Sequence, residues 1–194
     1  MAIAIRTITP GELGRYGQVS SAFQVDSMLV VEPVDGGLGG LRMHEEPVVP
    51  PYIKDYDAYE DGWPEDWPRQ FDVSNWGFLL ASEEERPVAG AAVAWRTPGV
   101  HMLAGRDDTA VLWDIRVHPA FRRQGLGREI FWRAAGWSRE RGAHLLKIET
   151  QNINVRACRF YHQQGCRLGE INFYGYAGVP RVAHEVMLIW YLDL

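Results

Sequence analysis

Residues 110–117, Ala-Val-Leu-Trp-Asp-Ile-Arg-Val, lead into Arg122-Arg-Gln-Gly-Leu-Gly127 and then Arg128-Glu-Ile-Phe-Trp-Arg133, and this stretch decides the fold. The first run is apolar and β-branched, as a buried strand requires. Residues 127–141 place Ile130, Phe131, Ala134 and Trp137 on one helical face and Arg128, Arg133 and Arg139 on others. Strand, glycine loop and helix start in that order form a pocket of backbone N–H groups at the positive end of a helix, where phosphate oxygens bind. Arg122, Arg123 and Arg128 ask for a strongly anionic ligand. Arg-x-x-Gly-x-Gly alone is a weak pattern, and a tight strand-to-helix turn would also use it; the strand before it and the helix after it give it weight. It lacks the Lys-Ser/Thr of a nucleotide P-loop, and its place far from the N-terminus is unlike a dinucleotide fingerprint. A pyrophosphate carrying a different group fits better.

Outward from this segment the pattern alternates. Residues 2–8 read as a first strand, closed by Pro10 and Gly11, and residues 12–23 as a helix weakened by Gly14 and Gly17. Residues 27–33 and 38–45 flank Asp35-Gly36-Gly37 as a hairpin. Residues 75–82 and 87–95 are expected strands joined through Glu83–Arg86. After the helix come a strand at 145–150, a short helix at 154–164 ended by Gly165, and closing strands at 166–176 and 185–192. Residues 47–71 stand apart as an irregular loop with five prolines and five Tyr or Trp residues. Its length is unusual within a compact domain, and its aromatics argue against a disordered linker. There is no internal repeat. The order of elements predicts one mixed sheet with helices packed on it, a single domain over residues 1–194.

Bulk properties bound the function. Apolar residues make up 46% of the 194, enough for a core. A net charge of −5 argues against general nucleic-acid binding, whose footprint is basic. No apolar run approaches the roughly 18 residues of a membrane span, and the N-terminus lacks a signal peptide's features. Cys158 and Cys166 are too few for a disulfide scaffold and have no zinc spacing with the histidines, so no metal is expected and a reducing, cytoplasmic location follows. The acidity is local: residues 52–66 hold six acids (Asp55, Asp57, Glu60, Asp61, Glu65, Asp66) and one base, Lys54, leaving 19 acids and 19 bases elsewhere.

A second constellation follows the loop: Glu149-Thr-Gln-Asn152-Ile-Asn154-Val-Arg-Ala157-Cys-Arg-Phe-Tyr161. Arg-x-x-Gly-x-Gly between strand and helix, followed by Asn-x-x-Ala-x-x-Phe-Tyr, resembles the acetyl-CoA-dependent N-acetyltransferases of the GNAT superfamily. The two motifs in order are far more specific than either alone. The resemblance implies an α+β fold: a mixed, mostly antiparallel central sheet with a splayed parallel pair, flanked by helices. It implies an acetyl-CoA-binding core at residues 110–165, with the cofactor on Ile115, Val117, Arg122, Arg123, Gln124, Gly125, Leu126, Gly127, Arg128, Asn154, Ala157 and Tyr161. Val117 would offer main-chain groups to the pantetheine arm, and Tyr161 would lie beside the thioester sulfur.

The residue types suit this chemistry independently. An attacking amine must lose a proton to a carboxylate, and a leaving thiolate takes one from a weak acid such as tyrosine. Tyr161 is the candidate acid. Glu149, 12 residues earlier, and Asp114, on the preceding strand, are the candidate bases. Each has a plainer reading: Tyr161 as core aromatic, Glu149 as the partner of Lys147 or Arg156, Asp114 as a structural carboxylate. Cys158 reads as a helix core residue, not a nucleophile.

Trp113-Asp-Ile-Arg-Val-His-Pro119, Ile148–Val155, Ala157–Tyr161, Gly165-Cys166 and Leu188-Ile-Trp-Tyr191 together look like the streptothricin acetyltransferases, well over residues 111–194 and weakly before them, where Phe23-Gln-Val-Asp26 is suggestive. The resemblance implies a small cationic amine acceptor and transfer in a ternary complex without an acyl-enzyme. Asp26, Asp55, Asp57, Trp113 and Glu149 are the candidate acceptor-binding residues. The acidic aromatic loop would draw a polycation and stack it on aromatic faces, or would simply be a solvated acidic loop. Other acceptors keep the same chemistry: a protein N-terminus, a lysine, a polyamine or another drug. A non-catalytic acyl-CoA-binding module is the reading from another class. GNAT relatives are often dimers, and the two C-terminal strands offer a surface for a homodimer.

Overall fold

The computed structural model describes residues 3–59 and 62–194; Ala2 of the expected first strand and Glu60 and Asp61 of the acidic segment lie outside the described residues. The strands are β1 (Ile3–Ile8), β2 (Phe23–Pro33), β3 (Leu41–Lys54), β4 (Gly77–Glu83), β5 (Arg86–Trp95), β6 (Thr109–Val117), β7 (Leu145–Gln151), β8 (Arg167–Asn172) and β9 (Met187–Asp193). The helices are α1 (Leu13–Tyr16), α2 (Trp67–Gln70), α3 (Leu126–Glu140) and α4 (Val155–Gln163). Two compact units result. One combines the segment ending at Ala22 with Asp55–Ile148 and Leu192–Leu194; the other combines Phe23–Lys54 with Glu149–Tyr191.

In the first unit β1, β4, β5 and β6 pair antiparallel in that order, and β7 lies parallel to β6. Parallel neighbours need a crossover, which α3 supplies. Its buried face, Leu126, Ile130, Phe131, Ala134, Ala135, Trp137 and Ser138, has helical spacing. Strand β5 is buried from Pro87 to Trp95, as expected of a strand covered on both faces. Its small residues admit bulky neighbours: a Cβ on Gly90 would lie 2.3 Å from the Tyr16 ring. Around β4 and β5 an apolar cluster gathers Tyr16, Trp67, Trp76, Phe78 and Val111, with Phe71 and Trp113 packed against it.

The parallel ladder runs only from Thr109↔Leu145 to Leu112↔Ile148. Strand β6 continues to Val117 in register with β5, and its register slips between Ala92 and Val93, making Trp113 the extra residue of a bulge.

In the second unit β8 and β9 pair antiparallel, and β2 and β3 form a separate two-stranded hairpin. Asn152, 1% exposed, organises the end of β7. Its side chain donates to Leu29 O and accepts from Val186 N, and its backbone N–H and C=O bond the same two residues, all at 2.9 Å. Lys54 and Glu185, both buried, form an ion pair at 2.5 Å.

Three expectations give way. Residues 12–23 yield one helical turn, Leu13–Tyr16, after a 3-10 turn at Pro10–Glu12. Beyond Gly17 the chain is drawn out, where Val19 O and Ser21 N bond Arg116 and Asp57. The irregular loop begins later than residue 47, because Pro47–Lys54 belong to β3. Prolines are tolerated there because the hairpin has outer edges needing no N–H donor, and Val48–Pro51 fall outside the register with β2. Strand β8 stops at Asn172, whose side chain accepts from Tyr174 N at 2.9 Å and starts a series of turns.

Gly90→Ala is expected to lower stability by about 1–3 kcal/mol through overpacking, read from chemical denaturation; an unchanged midpoint would mean that Tyr16 yields without cost. Lys54→Met should cost about 3–5 kcal/mol by leaving Glu185 buried and unpaired, whereas Lys54→Met with Glu185→Leu should recover most of it. A double variant no more stable than the single one would contradict this account of the pair.

Candidate active site

In the first unit, β6 hands the chain to a 3-10 turn at Pro119–Phe121 and then to the glycine loop. Arg122 is half-buried and braces the loop: its Nε donates to Val117 O at 2.9 Å and its Nη2 to Ala22 O at 3.2 Å. Gln124 Nε2 donates to Ala120 O at 2.7 Å. Arg123 (φ 60) and Gly125 (φ 89) both take the left-handed conformation that turns the chain into α3. Gly125 is the N-cap, and the first-turn N–H groups that follow have no in-helix acceptor. A Cβ on Gly125 would meet nothing within 4 Å, so the space before the helix end is open. Arg123 and Arg128 are exposed and make no ion pair among the described residues. Open backbone donors, a helix dipole and two available guanidinium groups fit a pyrophosphate.

Upstream of the loop, Asp114 and Arg116 share one face of β6. Arg116 is 5% exposed. Its Nε donates to Asp114 Oδ2 at 2.5 Å, and its Nη1 donates to both oxygens of Asp57, at 2.9 and 3.2 Å, and to Val19 O at 3.1 Å. Burial works against its charge, but Asp114, Tyr16 and Asp57 outweigh it and raise its pKa above the ordinary value. The guanidinium lies over the Tyr16 ring, 5.3 Å from its centroid. The Tyr16 hydroxyl is buried without a hydrogen-bond partner among the described residues; burial and then the charge of Asp114 push its pKa well up.

Asp57 also accepts from Ser21 N at 2.9 Å. Asp55, half-buried, accepts from Ser21 Oγ at 3.2 Å and from Asp57 N at 3.1 Å. These two carboxylates line an open cleft of about 540 Å³ with Gly14, Gly17, Ser20 and Trp63. Trp113 packs elsewhere, its ring 5.1 Å from Phe71 and 5.2 Å from Trp76. Arg116 and Ser21 have no place in the sequence-based site. The one hint was the spacing of Asp114 and Arg116, which puts opposite charges on one face of an otherwise apolar strand.

In the second unit Asn154 caps α4, its Oδ1 accepting from Ala157 N at 3.2 Å. Tyr161 lies on the buried face of α4 with Val155 and Cys158 and is 5% exposed. Arg156 pairs with Asp26, and Arg159 with Glu45. Glu149, half-buried on β7, accepts from Tyr176 Oη at 2.8 Å, and Gln151 Nε2 donates to Tyr176 Oη at 3.0 Å. Burial pushes the Cys166 thiol up to about 11 and raises that of Cys158 as well, so neither is a ready thiolate. Among the described residues no group of three or more His, Cys, Asp or Glu side chains could hold a metal ion, and no helix is long and apolar enough to cross a membrane.

Comparison with known proteins points to one family. The chain is 33% identical over 82 residues to streptothricin acetyltransferase A of Bacillus subtilis (strain 168), 42% of this chain and about half (47%) of that protein. It is 28% identical over 162 residues to the streptothricin acetyltransferase of Streptomyces lavendulae, 82% of this chain and 79% of that one. Its fold matches a solved structure from Bacillus anthracis str. Ames in complex with acetyl coenzyme A, with a TM-score of 0.73 and 24% identity over 100% of this chain and 98% of the other. Residues 47–166 match the model of the acetyltransferase (GNAT) family. The mixed, mostly antiparallel sheet with its parallel pair, the glycine loop that opens α3 and these matches place the chain in the GNAT acetyltransferase family, as an acyltransferase.

Proposed function

We propose that this acyltransferase moves an acetyl group from acetyl-CoA to a primary amine of a small cationic molecule, with streptothricin the first acceptor to test. The observation that carries the acceptor class is the open cleft lined by Asp55, Asp57 and Trp63. Arg116 is shared between Asp57 and Asp114, whereas among the described residues Asp55 accepts from neutral donors, Ser21 Oγ and Asp57 N. The carboxylates thus outnumber the guanidinium beside the cleft, Asp55 has no cationic partner among the described residues, and the half-exposed Trp63 ring supplies a face for a cation. The names of the relatives from B. subtilis and S. lavendulae point to the same acceptor.

On the donor side, the N–H groups of the first turn of α3, with Arg123 and Arg128, would hold the pyrophosphate. Bound acetyl-CoA supplies a thioester whose carbonyl an amine can attack. Glu149 takes the proton from the amine, directly or through water, and Tyr161 Oη returns one to the departing sulfur. Asp114 serves instead as the partner of Arg116. The buried, raised thiols of Cys158 and Cys166 favour direct transfer over an acyl-enzyme.

Incubation with acetyl-CoA and streptothricin should release free thiol and add one acetyl group to the antibiotic by mass spectrometry; no transfer to it or to a panel of polyamines and aminated drugs would refute the acceptor class. Tyr161→Phe should lower kcat by about a hundredfold while acetyl-CoA affinity changes little, and equal losses of both would assign the hydroxyl to binding. Asp55→Asn should raise KM for a cationic acceptor at nearly constant kcat, with a smaller effect at high salt; an effect independent of salt would count against charge attraction.

A further inference from the structure

Three side chains converge in the second unit, two from the start of the Glu149–Tyr161 constellation and one from far beyond it. Glu149 and Gln151 lie two apart on one face of β7, and both are half-buried, whereas Ile148 and Thr150 on the other face are buried. One phenol bridges them. Tyr176 arrives from the turn-rich segment after β8, where Ala177 N donates to Tyr174 O at 3.0 Å and Val179 N to Tyr176 O at 2.9 Å, so turns pin it on both sides. It is half-buried, while Tyr174, Gly175 and Ala177 around it are exposed. Gly175 lets this segment lie close to Met187, since a Cβ there would come within 2.8 Å of that side chain.

The hydrogen-bond directions are fixed by chemistry. A carboxylate only accepts, so the Tyr176 proton points to Glu149 Oε1. The same hydroxyl must then accept from Gln151, and the amide nitrogen faces it. Gln151 thus orients the phenol, and the phenol orients the carboxylate.

We infer that Tyr176 is a positioning residue of the acetyl transfer: aligned by Gln151, it holds the Glu149 carboxylate in one orientation for taking the proton of the acceptor amine. This role rests on Glu149 being the base. A charge-assisted bond to one oxygen of a half-buried carboxylate selects one orientation out of several, the kind of pre-organisation that appears in kcat more than in substrate affinity.

A double-mutant cycle on the full chain tests it. Tyr176→Phe removes one oxygen and should lower kcat about tenfold, with KM for acetyl-CoA unchanged. In the Glu149→Gln background the same change should do almost nothing more, because the partner it positions is already gone. Gln151→Met, which leaves the phenol in place but undirected, should give a smaller loss in the same direction. An equal loss from Tyr176→Phe in both backgrounds, or none in the parent, would overturn the positioning role while leaving Glu149 as the base. Full turnover by Glu149→Gln alone would remove the base and this role with it.

Discussion

The parallel pairing of β6 with β7 lasts for four residue pairs and stops at Leu112↔Ile148, and the donor side of the proposed chemistry depends on that ending. A parallel partner can only be reached through a crossover, so the chain must leave the end of β6, turn and return along α3. The turn is short and needs left-handed backbone at Arg123 and Gly125. Beyond the ladder, β6 runs on to Val117 with β5 as its partner, and the bulge at Trp113 resets which of its side chains face inward. The crossover thus produces the exposed helix end ahead of the continuing β6 edge, and the bulge sets the orientation of Asp114 and Arg116.

That orientation has an electrostatic consequence. A guanidinium as buried as Arg116 persists only because Asp114, Asp57 and Val19 O surround it. The network ties the segment after α1, the segment after β3 and β6 together within the first unit. It also separates the roles of the acids that look alike in the sequence: Asp57 shares the Arg116 guanidinium with Asp114, and Asp55 has no cationic partner among the described residues. In the second unit the ordering device is polar but neutral. Asn152 makes four hydrogen bonds across β2 and the approach to β9, two from its side chain and two from its backbone, three residues after Glu149 and two before the cap of α4.

What the sequence made legible is what is local in the chain. The strand, loop and helix around Gly125, the short helix from Asn154 and the hairpin about Asp35–Gly37 rest on spacing and turn chemistry within a few residues. The GNAT resemblance rested on two such segments. What it hid depends on distant partners. Arg116 meets Asp57 across 59 positions and Val19 across 97, so neither pairing leaves a local trace. Tyr176 reaches Glu149 across 27 positions from a stretch that read as continuing strand. The helix expected over residues 12–23 shrank to one turn because the backbone after Gly17 is claimed by Arg116 and Asp57, a tertiary demand that propensity does not register. The prolines of residues 47–51 suggested a loop, and the chain instead placed them in an outer strand, where a missing N–H costs little.

The central claim is that the N–H groups opening α3 bind the phosphates of the acyl donor. Amide NMR of the labelled protein during titration with acetyl-CoA tests it most directly. The account predicts saturable shifts in which Gln124, Gly125, Leu126, Gly127 and Arg128 are among the most perturbed amides. Saturable binding that leaves these five amides unmoved would contradict it.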